Sequence, residues 1–233
     1  MNPNSPSKLL IFDVDGTLLL NGTIVRDTFF HAFRHATGFD AKNSKIAFMG
    51  MTDRGIFRIL LQLSGVNGDF EILFNVFEKE FFQRLSEVYP NDPGPYLLKG
   101  VPELLATLSQ RDDIALVLGT GNIQSTCRIK LDKFNLNRYF PVGGFGGDYE
   151  QREDVITAAI EASNEYYNWC GNSEDIWVIG DTPKDVDAGK ANGTKVLAVA
   201  SGFVDKDELI NTDADAILDD LSDLEQVLNI LGV

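Results

Sequence analysis

The chain has 233 residues, of which 44% are apolar and 24% are charged. This composition is typical of an ordinary globular protein and excludes general disorder. Twenty Lys and Arg against 35 Asp and Glu give a net charge of −15, which repels nucleic acids and anionic membrane surfaces. We therefore expect neither nucleic acid nor a membrane as a partner. A small anionic substrate stays compatible with this charge if a metal ion, local cations or backbone donors offset the repulsion.

The cysteines, the apolar runs and the amino end of the sequence indicate the cellular compartment in which we expect the protein. Cys127 and Cys170 form no metal-binding motif, so we expect two buried free thiols and no disulfide framework. The apolar runs are shorter than the ~20 residues that a membrane helix needs. The polar amino end lacks the apolar stretch of a secretion signal. Together these features predict a cytoplasmic protein.

In chain order, a short buried strand at 9–12 is followed by a long helical stretch. The strand ends at the sequence DVDGT, and from there to residue 93 the apolar residues recur at helical spacing with no strand pattern. The predicted helices cover 25–36, 54–63 and 70–88. Most of the phenylalanines lie in this stretch, which predicts a small helical unit with an aromatic core of its own.

After the Pro/Gly-rich segment at 91–95, helices and strands alternate. The predicted helices are 101–110, 122–134, 152–169, 184–191 and 221–231, and the predicted strands are 114–118, 176–179 and 195–199. This alternation predicts the α/β class, with a Rossmann-like, doubly wound parallel sheet. We assign residues 1–21 and 94–233 to this catalytic core and residues 22–93 to a small inserted α-helical cap.

Polar residues follow three of the predicted strands. They are Asp13 and Asp15 after the first strand, Thr120, Gly121 and Asn122 after the strand at 114–118, and Asp181 and Asp185 after the strand at 176–179. Carboxylates suit Mg²⁺ and proton transfer, and a hydroxyl with backbone N–H groups at a helix start suits phosphate. Each motif alone also fits an ordinary turn or helix cap. Because ligands bind at the carboxyl edge of a parallel sheet, we expect the three loops to form one site.

The motifs DVDGTLL, LGTGN and GDTPKD, in this order, resemble those of the haloacid dehalogenase-like superfamily of phosphotransferases. The helical stretch after the first motif corresponds to the mobile cap of that family, as in its phosphoglycolate phosphatase-like members. The resemblance implies that Asp13 is a nucleophile that forms an aspartyl-phosphate. It implies that Asp15 is first the acid and then the base, and that Thr120 binds phosphate together with Gly121 and Asn122.

The resemblance also implies a Mg²⁺ ion. Asp13, the main-chain carbonyl of Asp15 and Asp181 would hold the ion, and Asp185 would support the site. The positive charge would offset the repulsion between the carboxylates and an anionic substrate.

The third motif departs from the usual form of the family, which has a lysine before the fourth motif. The window 140–156 contains no lysine, and its one cation is Arg152. We assign the phosphate-binding, charge-stabilising role to Arg152, whose planar fork suits phosphate oxygens. Lys184 is the alternative cation, and Arg152 is then a surface residue at a helix start.

Within the cap, the sequence GMTDR at 50–54 resembles a segment that often faces the substrate in phosphoglycolate phosphatase-like members. Thr52 and Arg54 are therefore candidates for substrate binding, with Arg54 on a second anionic group. A helix start capped by Thr52 or Asp53 explains the same residues equally well. His31 and His35 lie four residues apart with no third ligand, so we expect no catalytic role for them.

The leading hypothesis is a Mg²⁺-dependent phosphatase that acts on a small phosphorylated metabolite. A phosphomutase of the same superfamily is the main alternative. A 2-haloacid dehalogenase is less favoured, because those enzymes lack a second carboxylate in the first motif, whereas this chain has Asp15. A non-catalytic binding module on the same fold is the alternative from another class. The sequence indicates neither the individual substrate nor the oligomeric state.

Overall fold

The computed structural model describes residues 5–44, 46 and 48–233. Its main sheet is parallel and has the strand order β5–β4–β1–β6–β7–β8. These strands are β1 (Lys8–Phe12), β4 (Ile114–Thr120), β5 (Gly143–Phe145), β6 (Ile176–Gly180), β7 (Lys195–Val199) and β8 (Ala216–Leu218). A separate antiparallel ribbon pairs β2 (Leu19–Leu20) with β3 (Tyr96–Leu97).

The helices predicted from the sequence all form, with ends within three residues of those expected. They are α1 (Ile24–Thr37), α2 (Asp53–Ser64), α3 (Phe70–Val88), α4 (Val101–Leu108), α5 (Gln124–Asp132), α6 (Arg152–Tyr167), α7 (Pro183–Ala191) and α9 (Leu224–Leu231). The sequence analysis missed the short helix α8 (Lys206–Ile210), the ribbon β2–β3 and the edge strands β5 and β8. Strands of two or three residues are too short to show an alternating pattern.

The apolar strand residues alternate between two helical layers. Leu10 and Phe12 of β1 belong to the buried cluster formed with α4, α5 and α9, whereas Leu9 and Ile11 belong to the cluster formed with α6 and α7. This follows from the two-residue period of a strand, which presents successive side chains to opposite faces. The sheet is therefore covered on both faces, and the predicted doubly wound α/β architecture is confirmed.

Helices α1, α2 and α3 share a third buried cluster, which is largely aromatic. The ring of Phe77 lies 4.7 Å from that of Phe29 and 5.0 Å from that of Phe57, measured between centroids. The ribbon β2–β3 lies at the two chain connections to these helices. The proposed cap, residues 22–93, thus starts and ends next to the ribbon.

The prediction that both thiols are buried is wrong for Cys170, which is exposed, whereas Cys127 is buried. Helix α6 ends at Tyr167, two residues earlier than predicted. In the segment that follows the helix, Trp169 is buried and Cys170 is exposed. Within the described part of the chain, no helix is long and apolar enough to cross a membrane.

Candidate active site

The acidic residues predicted at the strand ends meet at the carboxyl edge of the sheet, because β1 lies between β4 and β6. Asp13, Asp181 and Asp185 each place a carboxylate oxygen within 4.8 Å of the other two. All three residues are buried. The side chain of Asp15 is not a member of this group, so a metal contact from Asp15 is left to its main-chain carbonyl.

The three carboxylates repel one another in a buried setting. Burial raises the pKa of Asp13, and Arg152 opposes this effect. Burial and the neighbouring charges of Asp185 and Asp13 raise the pKa of Asp181. A cation favours the ionised forms, and three carboxylates are hard oxygen ligands of the kind that Mg²⁺ prefers. The residues present therefore fit a Mg²⁺ ion.

The Asp181 carboxylate accepts a hydrogen bond from the Thr17 hydroxyl at a long 3.5 Å, and this weak contact leaves it able to bind a cation. Gly16 beside it has a positive φ of 96°, and a Cβ there would lie 2.1 Å from the Asp181 carboxylate. Only glycine allows this turn to approach the carboxylate so closely.

Asp185 has a structural task at the start of α7. Its carboxylate accepts hydrogen bonds from the backbone N–H and the hydroxyl of Thr182 at 3.0 and 2.7 Å. The Thr182 hydroxyl caps the helix in return, so Thr182 is the N-cap residue of α7. This capping box fixes Asp185 beside the acidic group.

Arg152 lies at the centre of the cluster and is 6% exposed. Its Nη2 donates to Asp13 Oδ1 at 2.5 Å and to Asp185 Oδ1 at 2.7 Å. Burial of this kind is incompatible with a surface role at a helix start. Lys184, the rival cation, is exposed and lines a nearby cavity.

The loop after β4 is rigidly held. The Thr120 hydroxyl accepts a hydrogen bond from Asn122 Nδ2 at 2.7 Å, and Gly146 N–H donates to the carbonyls of Thr120 and Asn122. Helix α5 begins at Gln124, two residues later than predicted, so Asn122 belongs to the loop together with Gly121. The N–H groups of Asn122 and Ile123 are paired with the Thr120 hydroxyl and the Asp53 carboxylate, which leaves the Thr120 hydroxyl and the Gly121 N–H as the candidate donors to an anion.

The sequence analysis missed two residues that hold Asp15. Lys130 Nζ donates to Asp15 Oδ2 at 2.6 Å, and Asn21 Nδ2 donates to Asp15 Oδ1 at 2.5 Å. Burial alone would raise the pKa of Asp15, but the charge of Lys130 and these hydrogen bonds lower it below its ordinary value. A signal was present, since Lys130 follows Cys127 by three residues on the buried face of a helix, where an apolar residue is expected.

The segment 52–54 contacts the core. The Thr52 hydroxyl donates to the carbonyl of Glu150 at 2.9 Å and also caps α2. The N–H of Asp53 donates to the carbonyl of Gly121 at 2.7 Å, and its carboxylate accepts from the N–H of Ile123 at 2.8 Å. The helix-cap explanation of Thr52 is therefore confirmed, and substrate binding by Thr52 stays a prediction.

The structure does not bring Arg54 to the cavity next to the acidic cluster. Its guanidinium pairs with Glu71 and lies over the rings of Phe70 and Phe74. The cavity has a volume of about 310 Å³ and is lined by Thr52, Arg152 and Lys184 among others. A second arginine, Arg58, lines it one helical turn beyond Arg54.

His31 and His35 both lie within 4 Å of the carboxylate of Glu80 on α3. This contact joins two helices of the proposed cap, and the absence of a catalytic role for these histidines stays a prediction.

Comparison with known proteins identifies the family of the chain. Residues 10–199 match the family model of the haloacid dehalogenase-like hydrolases. The chain is 25% identical over 228 residues to the pyrophosphatase PpaX of Anoxybacillus flavithermus, with 96% of each chain covered. Its fold is similar to that of a hydrolase from Pseudomonas syringae, with 23% identity, a TM-score of 0.66 and 95% and 98% of the two chains covered. It is also similar to CbbY from Rhodobacter sphaeroides in complex with phosphate, with 21% identity, a TM-score of 0.68 and 93% and 96% covered. The chain is therefore an enzyme that belongs to the haloacid dehalogenase-like hydrolase family.

Proposed function

We propose that the protein is a Mg²⁺-dependent phosphatase that hydrolyses a small phosphorylated metabolite through an aspartyl-phosphate on Asp13. The observation that carries the proposal is the contact of Asp13 with Arg152 inside a buried group of three carboxylates. Such a group holds a cation and an anionic phosphoryl group side by side. The similarity to the pyrophosphatase PpaX supports a phosphate substrate.

Asp13 and Asp181 are the residues that would hold Mg²⁺, with the main-chain carbonyl of Asp15, and Asp185 would support them. When bound, the ion supplies positive charge that offsets the repulsion between the carboxylates and a phosphoryl group. Arg152 supplies a fixed positive charge to the same place, since it already contacts Asp13 and Asp185.

In the first half of the reaction, a carboxylate oxygen of Asp13 attacks phosphorus. The bond from Asp13 to phosphorus forms while the bond to the leaving oxygen breaks. Because Lys130 lowers the pKa of Asp15 in the free enzyme, Asp15 takes up a proton when the substrate binds and gives this proton to the leaving oxygen. The Thr120 hydroxyl and the Gly121 N–H bind the phosphoryl oxygens, which develop charge in the transition state.

In the second half, water attacks the phosphorus of the aspartyl-phosphate. Asp15, now a carboxylate, takes a proton from this water, and the phosphorus bond to Asp13 breaks. Inorganic phosphate leaves, and Asp13 is restored. The presence of Asp15 supports this route over that of a 2-haloacid dehalogenase.

The size of the substrate is inferred from the cavity beside Arg152. The cavity of about 310 Å³ is lined by Thr52 and Arg152 but not by Asp13 or Thr120, so we propose that it takes the leaving group of a small substrate. Its lining includes the charged residues Arg58, Lys184, Glu150 and Asp187, of which Arg58 pairs with Glu150, so we propose a polar leaving group. Thr52 contributes to this lining. Arg54 instead connects α2 to α3 through its contact with Glu71.

The test is phosphate release from a panel of phosphorylated metabolites and para-nitrophenyl phosphate, with Mg²⁺ and with a chelator. We expect turnover only with Mg²⁺, and free phosphate as the product. A rearranged sugar phosphate without phosphate release would instead indicate a phosphomutase. If no substrate of the panel turns over with Mg²⁺, the proposed phosphatase function is contradicted and a binding module is favoured.

A further inference from the structure

Lys130 on α5 is a fully buried lysine, with 0% of its side chain exposed. A buried ammonium group costs free energy unless charged or polar partners surround it. Its Nζ donates to Asp15 Oδ2 at 2.6 Å and to Asn122 Oδ1 at 2.5 Å. These two acceptors follow different strands, β1 and β4, so one ammonium group joins two loops of the site.

The two buried cations, Arg152 and Lys130, contact different acidic residues of the site. Arg152 contacts Asp13 and Asp185, whereas Lys130 contacts Asp15. Each carboxylate of the DVDGT motif thus has a cation of its own. The two contacts serve different steps of the proposed reaction, because Asp13 forms the bond to phosphorus and Asp15 transfers the proton.

The orientation of Asp15 is held from two sides. Asn21 donates to Oδ1 and Lys130 donates to Oδ2. A carboxylate has about four acceptor positions, so these donors leave room for a proton and for the leaving oxygen. Through Asn122, which donates to the Thr120 hydroxyl at 2.7 Å, the same lysine also fixes the loop that binds phosphate.

We propose that Lys130 is a positioning residue that holds the acid/base group Asp15 in line with the leaving oxygen and in register with the Thr120 loop. This rests on the proposed phosphatase function, and it adds a residue outside the motifs that identify the family. Its signature is a dependence on the leaving group, since only a leaving oxygen that needs a proton depends on the placement of Asp15.

The experiment compares Lys130→Met with the wild type on two phosphates of similar size, para-nitrophenyl phosphate and benzyl phosphate. The quantity is kcat/KM, which covers the steps up to departure of the leaving group. Para-nitrophenolate leaves as a stable anion, whereas benzyl alcohol leaves only with a proton. We expect kcat/KM to fall by about 10²–10³ for benzyl phosphate and by about 10-fold or less for para-nitrophenyl phosphate. Equal losses on both substrates would overturn the proposal.

Two further variants separate positioning from folding. Lys130→Arg keeps the charge and the donors and should recover part of the benzyl phosphate activity. Lys133→Met removes a lysine of the same α5 region that instead donates to the carbonyls of Pro90 and Asp92. It should change kcat/KM by the same factor for both substrates. A selective loss in Lys133→Met would also contradict a special role for Lys130.

A crystal structure of Lys130→Met, or of Lys130→Arg if the first variant does not fold, tests the proposal without any activity. We expect the side chains of Asp15 and Asn122 to move from their positions in the wild-type structure. If both stay in place, the positioning role is refuted. If the wild type hydrolyses neither phosphate, the proposed function fails, and this structural comparison still decides the role of Lys130.

Discussion

The acidic edge of the sheet and the aromatic cluster of α1, α2 and α3 are both buried, but different forces hold them. At the edge, each charged group needs a specific partner, as Asp13 has in Arg152 and Asp15 has in Lys130. In the cluster, rings such as Phe57 and Phe77 contact several others with little demand for one geometry. Substitutions at the edge should therefore change chemistry, whereas substitutions in the cluster should change stability.

The largest expected effect is on the edge, in Asp13→Asn. The amide keeps the shape of the side chain but removes the nucleophilic charge. We expect phosphate release to fall on the order of 10³-fold or more, with the thermal unfolding transition retained. Near-normal activity with Mg²⁺ would show that Asp13 is not the nucleophile.

The next effect separates the two candidate cations. Arg152→Ala should lower kcat/KM by about 10²–10³, because it removes the charge beside Asp13 and the phosphoryl group. Arg152→Lys should recover part of this loss. Lys184→Ala is the matched control and should be mild, since Lys184 is exposed. Assays at saturating Mg²⁺ exclude weak metal binding as the cause. A large loss of kcat/KM in Lys184→Ala together with a small loss in Arg152→Ala would show that Lys184, and not Arg152, has the charge-stabilising role.

In the aromatic cluster, Phe57→Ala should lower the free energy of unfolding by about 3–5 kcal/mol, the usual cost of a cavity of this size. Phe57 is 0% exposed and contacts the rings of Phe33, Phe74 and Phe77. Phe82→Ala, at a ring that is 45% exposed, is the control and should cost much less. Denaturant unfolding measures both. Equal costs would mean that the cluster is not a packed core.

The smallest effect concerns Asp53, which lies between the two regions. Burial raises the pKa of Asp53 to about 6 from an ordinary 3.8, and the charge of Lys130 opposes this effect only in part. The folded protein therefore binds the proton more tightly than the unfolded chain. The stabilising contribution is complete below about pH 4 and is lost as the pH rises through 6.

Asp53→Asn removes this titration and keeps an acceptor for the N–H of Ile123. Relative to the variant, the wild type should lose roughly 1–3 kcal/mol of stability between pH 4 and pH 7. Denaturant unfolding of both proteins across this range measures the difference. A difference that is constant with pH, or that grows in favour of the wild type, would contradict the raised pKa.

Some features of this molecule can be predicted from the sequence more accurately than others. The buried strands and the aromatic helices have strong periodic patterns, and they form within three residues of their predicted ends. Asp13, Asp181 and Asp185 are predicted to lie together because parallel strands end at one edge. Lys130 and Asn21 were not predicted. The helical spacing from Cys127 places Lys130 on the buried face of α5, but no spacing shows that this lysine reaches the loop after β1. The contact depends on how α5 packs on the sheet, which is a property of the folded chain.

The central claim is that Asp13 carries the phosphoryl group. The most direct measurement is an acid-quenched single turnover with para-nitrophenyl phosphate labelled with ³²P, in the presence of Mg²⁺. We expect the wild-type protein to become labelled before phosphate is released, and hydroxylamine to remove the label. We expect Asp13→Asn to acquire no label. Release of labelled phosphate with no labelled protein at any time, or equal labelling of Asp13→Asn, would contradict the central claim.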